Sequence, residues 1–170
     1  MKKALLMNFT VDKENKTLHV EREFAAPLAK VWAAWTQSEL LDQWFAPKPY
    51  QVRTVSMNFR EGGHWVYAMM APDGTEHCGR MDYKTITPLE KFTALDAFCD
   101  AEGNINEALP RADWSNTFKE NGNTTMISVV TKYDKLEDLE TVIKMGVQEG
   151  LTMCLQNLDE LLEKEEVAVG

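Results

Sequence analysis

One short stretch of the chain, residues 60–88, carries most of the side chains that could bind a metal or act on a substrate. It holds His64 and His77 on two strand-like runs that a turn separates. If the two strands pair around that turn, the imidazoles approach each other, and Cys78 or Asp82 would supply a third metal ligand. However, no i, i+2 or i, i+4 histidine pair fixes such a geometry. We therefore predict surface histidines, with no metal ligand and no cofactor.

The same stretch alternates aromatic and methionine residues, which favours the wall of a pocket. Successive strand residues point to opposite faces, so every second side chain shares one side. Methionine is flexible and polarizable and suits surfaces that accept varied apolar shapes, while glycine leaves room for a neighbour or a ligand. A fully filled core explains the same residue types equally well. The alternating positions are Trp65, Tyr67 and Met69 on one run, then Gly79, Met81 and Tyr83 on the next.

Other aromatic residues and two helix positions extend this predicted wall. Two short predicted helices carry Trp35, Trp44 and Phe45 and would close one end of the fold, and Trp114 opens a later strand. Core packing is the commoner role of each such residue. The complete set of predicted ligand contacts is Trp35, Trp44, Phe45, Trp65, Tyr67, Met69, Met81, Tyr83, Asp96, Phe98, Trp114, Val147 and Leu151.

One acidic residue in that set, Asp96, lies between Leu95 and Phe98 on an apolar strand. If its carboxyl group is buried, its pKa rises, and it could serve as a general acid or base in a cyclase-like proton transfer. An aspartate at a strand edge facing water explains the position too, and is commoner. The sequence contains no nucleophile elbow, no Walker phosphate loop and no H-E-x-x-H zinc motif. We therefore predict no catalytic residue.

The composition excludes several classes of partner. The chain has 170 residues, which suits one domain, and a net charge of −9, which repels nucleic-acid phosphates and anionic lipid. No run approaches the roughly 18 apolar residues of a membrane span, and residues 4–7 are too short an apolar stretch for a signal peptide. Three cysteines without C-x-x-C spacing indicate reduced thiols. We expect a cytoplasmic protein that binds neither nucleic acid nor membrane.

The order of periodic segments predicts an α+β fold. Residues 4–11 and 17–25 alternate as strands, Pro27 then begins one short helix, and Ser38 is the expected N-cap of a second. About six antiparallel strands follow between residues 51 and 133, with a polar loop at 100–112 and an Asn-Gly hairpin near the end.

The last segment changes to helical period from residue 134 onward. Asp134 and Glu137 match a capping box, and apolar residues then recur three or four apart on one broad face. Gly146 and Gly150 lie on that face and leave open whether this is one helix or two. A single antiparallel sheet needs its apolar face covered, and this helix is the only element large enough. Small molecules often bind in the cleft between two such layers.

Five segments, in order over about residues 17–163, match a known family: "EFAAPLAKVWAAWT", "LLDQWFAP", "FREGGHWVYAMMAPDG", "GRMDYKTITPLEKF" and "LEDLETVIKMGVQEGLTMCLQNLDELL". Through them the chain resembles the Activator of Hsp90 ATPase homologue 1-like family, within the START-like (Bet v 1-like, SRPBCC) superfamily. The resemblance implies one helix-grip domain over residues 1–170: an antiparallel sheet curved around a long C-terminal helix, with two short helices after the first long strand. It also implies a cavity for hydrophobic ligands.

Three functions are compatible with these features of the sequence. The first is non-enzymatic binding of a small hydrophobic or amphipathic molecule, such as a lipid, between the sheet and the C-terminal helix. The second is a chaperone-linked interaction module that resembles the Hsp90 ATPase activators and would bind its partner through the acidic surface. The third is a small cyclase-type or hydrolase-type enzyme. Exposed sheet edges also leave homodimer formation open.

Overall fold

One antiparallel sheet dominates the molecule. The computed structural model describes the backbone of residues 6–169 and the side chains of residues 6–164, and within that part eight strands pair in the order β1-β2-β8-β7-β6-β5-β4-β3. This confirms the six strands predicted between residues 51 and 133. The strands are β1 (Met7–Asp12), β2 (Thr17–Phe24), β3 (Gln51–Met57), β4 (His64–Met70), β5 (Glu76–Thr87), β6 (Lys91–Cys99), β7 (Ala112–Asn121) and β8 (Thr124–Tyr133).

The strand boundaries agree closely with the alternation pattern. Strand β1 begins at Met7 rather than at residue 4, and residues 4 and 5 lie outside the described part of the chain. The predicted Asn-Gly hairpin joins β7 to β8, and Gly122 adopts φ +64°, a left-handed conformation that glycine accepts without strain. Because every pairing in the sheet is antiparallel, short turns connect most neighbouring strands.

Two short helices follow β2, as predicted. Helix α1 spans Leu28–Thr36, and helix α2 spans Ser38–Trp44. The prediction that Ser38 caps α2 was wrong, since Gln37 is the N-cap residue and no side-chain hydrogen bond caps this end. Gln37 has extended backbone angles and also ends α1. One residue therefore separates the two helices, and Ser38 already belongs to the first turn of α2.

The C-terminal helical segment is two helices rather than one. Helix α3 spans Leu136–Lys144, and helix α4 spans Val147–Val169. Gly146 lies between them with φ +89°, which a residue with a side chain rarely adopts. The predicted capping box was also wrong: Lys135, in extended conformation, is the N-cap of α3, and no side-chain hydrogen bond caps that helix.

The main core lies between the concave face of the sheet and helices α1, α2 and α4. It includes Phe24 and Ile127 from the sheet, Trp44 from α2, and Leu155 and Leu158 from α4, all less than 2% exposed. A smaller cluster at one end packs α3 against the ends of β2 and β8. This arrangement confirms the predicted helix-grip fold, in which the sheet curves around the long C-terminal helix.

Candidate ligand-binding cavity

A small cavity lies within the main core. Its volume is about 20 Å³, which is room for one water molecule. The wall is almost entirely apolar, with a single amide side chain. The residues that line it are Trp35, Leu41, Phe45, Trp65, Met81, Tyr83, Phe92, Trp114 and Asn116.

The cavity has a roof from the short helices and a floor from the sheet. Helix α1 contributes Trp35, helix α2 contributes Leu41, and Phe45 follows directly after α2. The other wall residues come from β4, β5, β6 and β7. Among the residues of α4 whose side chains the structure describes, none lines this space. The sequence placed the cavity between the sheet and the C-terminal helix, whereas the wall actually joins the sheet to α1 and α2.

Cross-strand register explains why these floor residues meet. Trp65 is the partner of Met81, and Met81 is the partner of Asp96, so the three form one row on the concave face. Tyr83 and Trp114 form a neighbouring row through their shared partner Ala94. Alternation along each strand then turns every second side chain toward the roof.

Aromatic packing closes most of the space between roof and floor. The rings of Phe45 and Trp65 lie edge to face with centroids 5.1 Å apart, and Trp35 packs in the same way on Trp44 at 4.8 Å. Tyr67 covers Gly79, since a Cβ atom added to that glycine would lie 2.6 Å from the Tyr67 hydroxyl oxygen. The room that the sequence predicted above Gly79 is therefore filled by Tyr67.

Asp96 lies beside this cavity and links strand β6 to strand β7 through hydrogen bonds. Its carboxylate accepts hydrogen bonds from the backbone N–H of Ala112 at 2.6 Å and from the indole N–H of Trp114 at 2.7 Å. Burial raises the pKa of Asp96 to about 6, although these two hydrogen bonds and the nearby Arg111 act in the opposite direction. Each carboxylate oxygen thus has a protein donor, which favours a structural role over that of a free general base.

Two polar atoms in the cavity wall have no hydrogen-bond partner among residues 6–164. They are the indole Nε1 of Trp35, which is 3% exposed, and the side-chain oxygen of Asn116, which is 1% exposed. The neighbouring indoles differ, since Trp65 donates to Thr54 Oγ1 at 3.0 Å and Trp44 donates to the Ala34 carbonyl at 2.9 Å. An unpaired buried polar group costs about 1–3 kcal/mol, so two of them in one small cavity call for an explanation.

The sequence matches the model of one known protein family. The family model for Activator of Hsp90 ATPase homolog 1-like protein matches residues 25–163. The chain belongs to this family. We call it the AHSA1-like family below, and its match covers all the elements that form the cavity.

Solved structures of other AHSA1-like and similar proteins share the fold. A protein from Mycobacterium smegmatis is 30% identical, with a TM-score of 0.85 over 94% of this chain and 97% of that one. A protein from Arthrobacter aurescens is 24% identical, with a TM-score of 0.88 over 92% and 91%. The AHSA1 protein from Silicibacter pomeroyi is 19% identical, with a TM-score of 0.70 over 88% and 99%. No curated protein matches the chain at a significant level.

Six of the thirteen predicted ligand contacts line the cavity of this AHSA1-like chain. Sequence reasoning missed three further wall residues, Leu41, Phe92 and Asn116. Asn116 was detectable in principle, because it is a polar residue on the inward-facing side of the predicted strand that Trp114 opens. The six predicted positions that line the cavity are Trp35, Phe45, Trp65, Met81, Tyr83 and Trp114.

The other seven predicted contacts do not line this cavity, and all thirteen stay predictions as ligand contacts. Trp44 is fully buried in the core behind the roof, whereas Tyr67, Met69 and Leu151 pack against the edge of that core. Val147 packs on the smaller cluster beside α3. The remaining two, Asp96 and Phe98, lie on β6 facing the same side as the floor.

The two histidines of the opening stretch lie far apart along the paired strands. His64 faces Asp82 across β4 and β5, whereas His77 faces Met69 near the other end of the same pairing. His64 is hydrogen-bonded to Ser56 at 3.1 Å. Among the described residues, no group of three histidine, cysteine or acidic side chains is arranged to hold a metal ion. The hypothetical three-ligand site with Cys78 or Asp82 is therefore not assembled.

Larger depressions lie on the surface and are polar. One of about 440 Å³ runs between α2 and the end of α4 and includes Lys48, Glu160 and Lys164. Another, of about 710 Å³, lies between the loop before β7 and the start of α3. Their charged, open walls do not suit an apolar ligand. Within residues 6–169, no helix is both long enough and apolar enough to cross a membrane.

Proposed function

We propose that the protein binds a small hydrophobic or amphipathic molecule, without catalysis, in an enlarged form of the cavity beneath α1 and α2. The observation that supports this proposal is a small, mainly apolar cavity at the meeting point of four strands and two helices, with Met81 and several aromatic rings in its wall. Pockets for organic ligands are concave and mainly apolar, with a few polar groups that fix orientation. This wall has that composition.

A ligand must displace part of the wall, because 20 Å³ holds no more than one water molecule. The proposal requires the roof to move outward. Its attachments to the rest of the fold include the Thr54–Asp42 hydrogen bond of 2.6 Å and the bond of 2.9 Å from Asn157 Nδ2 to the Ala46 carbonyl. Neither α1 nor α2 belongs to the sheet ladder, so moving them outward leaves the strand pairing intact.

Ligand binding can be tested by filling the cavity from the floor. Met81→Phe replaces a flexible side chain with a bulkier, rigid ring at a position that is 6% exposed. We expect it to weaken binding of a neutral probe such as 2-methylnaphthalene by about tenfold or more, since overpacking a filled site costs about 1–3 kcal/mol. Native mass spectrometry and fluorescence titration would measure the binding.

Met153→Phe is the matched control, because the same substitution is then made on α4 at a position that is 39% exposed. It should leave the affinity unchanged. Absence of binding to the unmodified protein, or equal loss in both variants, would contradict the proposal.

A chaperone-linked interaction module is the second candidate. It is favoured by the family match over residues 25–163 and by the net charge of −9. An assay of Hsp90 ATPase activity with and without the protein tests it. Stimulation that surface carboxylate substitutions weaken, and that Met81→Phe does not, would favour this function over ligand binding.

A further inference from the structure

The polar atoms of the cavity wall specify the kind of ligand that fits. Trp35 offers an N–H donor from α1, and Asn116 offers a carbonyl acceptor from β7. Both side chains are at least 97% buried, and both line the same space. Two residues of one wall therefore each carry a buried polar atom without a partner among residues 6–164, one a donor and the other an acceptor.

From this pairing we infer that the cavity is a subsite for a hydroxyl group of a neutral amphipathic ligand, which accepts from the Trp35 indole and donates to the Asn116 amide oxygen. A hydroxyl group combines a donor and an acceptor at one oxygen atom. Its size matches the space of about 20 Å³. The inference rests on the proposed function, because the apolar remainder of the ligand must occupy the enlarged cavity.

Other polar groups fit this pair less well. A carboxylate has only acceptors, so it cannot donate to the unpaired Asn116 oxygen, and the apolar wall solvates its charge poorly. An ammonium group has only donors and would oppose the Trp35 N–H. A ketone satisfies Trp35 and leaves Asn116 unpaired. The wall thus selects a neutral alcohol or phenol over these alternatives.

The surroundings of Asn116 explain why its oxygen has no internal partner. Its cross-strand partners are Phe92 on β6 and Val129 on β8, whose side chains carry no polar atom. Trp114, two residues earlier on the same strand, already donates its indole proton to Asp96. The protein therefore holds this amide between apolar cross-strand neighbours, and a molecule in the cavity would supply the missing hydrogen-bond partner.

Three naphthalene probes of similar size test the inference. 2-Naphthol carries the hydroxyl group, 2-methylnaphthalene replaces it with a methyl group of similar volume, and 2-naphthoate replaces it with a carboxylate. Two hydrogen bonds to groups that are otherwise unpaired should make 2-naphthol bind about tenfold more tightly than 2-methylnaphthalene. Binding of 2-naphthol should also shift the Trp35 indole N–H resonance in a ¹⁵N-labelled sample. 2-Naphthoate should bind most weakly.

Substitutions then separate the two hydrogen bonds. Trp35→Phe and Asn116→Leu should each reduce the preference for 2-naphthol over 2-methylnaphthalene, measured as the ratio of the two affinities in the same variant, to about threefold. Trp44→Phe is the control, because the Trp44 N–H is already bonded to Ala34. It should keep the full preference.

The outcomes distinguish failure of the hydroxyl subsite from failure of ligand binding as such. Equal binding of 2-naphthol and 2-methylnaphthalene, or tightest binding of 2-naphthoate, would overturn the hydroxyl subsite and leave ligand binding in place. Failure of both neutral probes to bind would overturn the proposed function and the subsite together. The comparison of the three probes on the unmodified protein decides whether the cavity prefers a hydroxyl group, even if a variant fails to fold.

Discussion

Asp96 holds the indole of Trp114 through a hydrogen bond of 2.7 Å, at the point where β6 and β7 separate. The last ladder partners of these strands are Leu95 and Asp113, and the carboxylate of Asp96 then takes the backbone N–H of Ala112 in place of a strand partner. One acidic side chain therefore fixes both the end of the sheet pairing and the orientation of a cavity wall residue.

This acid should make stability depend on pH. The folded-state pKa of Asp96 is about 6, against an ordinary value of 3.8, because burial disfavours the charged form. A raised pKa means that the folded state binds the proton more tightly, so this contribution is fully present below pH 4 and is lost as the pH rises through 6. The loss is about 3 kcal/mol, from a shift of about two pH units.

Asp96→Asn isolates this effect from other titrating groups. The variant cannot titrate at this position, so the unfolding free energy of the wild type minus that of the variant should fall between pH 4 and pH 7. Urea denaturation at several pH values measures the difference. A difference that stays constant over this range would show that Asp96 titrates normally in the folded protein.

Gly146 should be indispensable to the break between α3 and α4, whereas Gly150 should not. Gly146 has φ +89°, so Gly146→Ala forces a side chain into a left-handed conformation and should destabilise the protein by about 1–2 kcal/mol. Gly150 lies inside α4, and the nearest atom to an added Cβ is Pro47 Cγ at 3.9 Å. Gly150→Ala should therefore stabilise the protein by up to about 1 kcal/mol. Thermal unfolding of both variants checks the contrast, and equal effects would refute it.

Tyr67 and Gly79 should be energetically coupled. Gly79→Ala places a Cβ 2.6 Å from the Tyr67 hydroxyl oxygen, so the ring must move, at a cost of about 1–3 kcal/mol. In a Tyr67→Ala background the same substitution should cost much less, since the obstructing ring is gone. A double-mutant cycle on unfolding free energies measures the coupling. Additive effects would mean that the ring does not rest on Gly79.

Cys78 and Cys99 should form a cross-strand disulfide under mild oxidation. They are direct partners in the β5–β6 pairing and are both free thiols. Antiparallel partners have Cα atoms about 4.5–5.5 Å apart, within the range of about 4.4–6.8 Å that a disulfide spans. Diamide would take up the two electrons and two protons released when the bond forms. Burial raises the pKa of both thiols, so the reaction should be faster at pH 9 than at pH 7.

Peptide mapping without reductant identifies the product of that oxidation. The linked peptides should contain Cys78 and Cys99, and Cys78→Ser should abolish the link. Cys154 is buried on α4 and should stay unmodified. Linkage through Cys154, or none at all, would contradict the strand register.

Much of the fold followed from periodicity and turn chemistry. The alternation of apolar and polar residues in 51–133 predicted the strands because each strand has one face toward the core and one toward solvent. Trp65 and Met81, which are partners across β4 and β5, both lie on the core face. The helix caps could not be predicted in the same way. Ser38 and Asp134 have suitable side chains, but the extended residues Gln37 and Lys135 determine where the helices begin.

The cavity was harder to predict than the strands. Alternation assigns Trp65 and Tyr83 to the concave face, but it does not state which helix covers them. The helix that covers them depends on how α1 and α2 pack on the sheet. This packing puts Leu41 in the cavity wall, whereas Val147 packs on the smaller cluster. The unpaired state of Asn116 depends on the chemistry of its neighbours on two other strands, and no local pattern in the sequence reports it.

The proposed ligand binding requires an apolar molecule to enter the space between the sheet and the α1–α2 roof. Intermolecular nuclear Overhauser effects from bound 2-methylnaphthalene to labelled protein test it most directly. We expect contacts to the Met81 methyl group and to the ring protons of Trp65 and Trp114. Contacts confined to the surface depression that includes Lys48, Glu160 and Lys164, or no contacts under saturating probe, would contradict it.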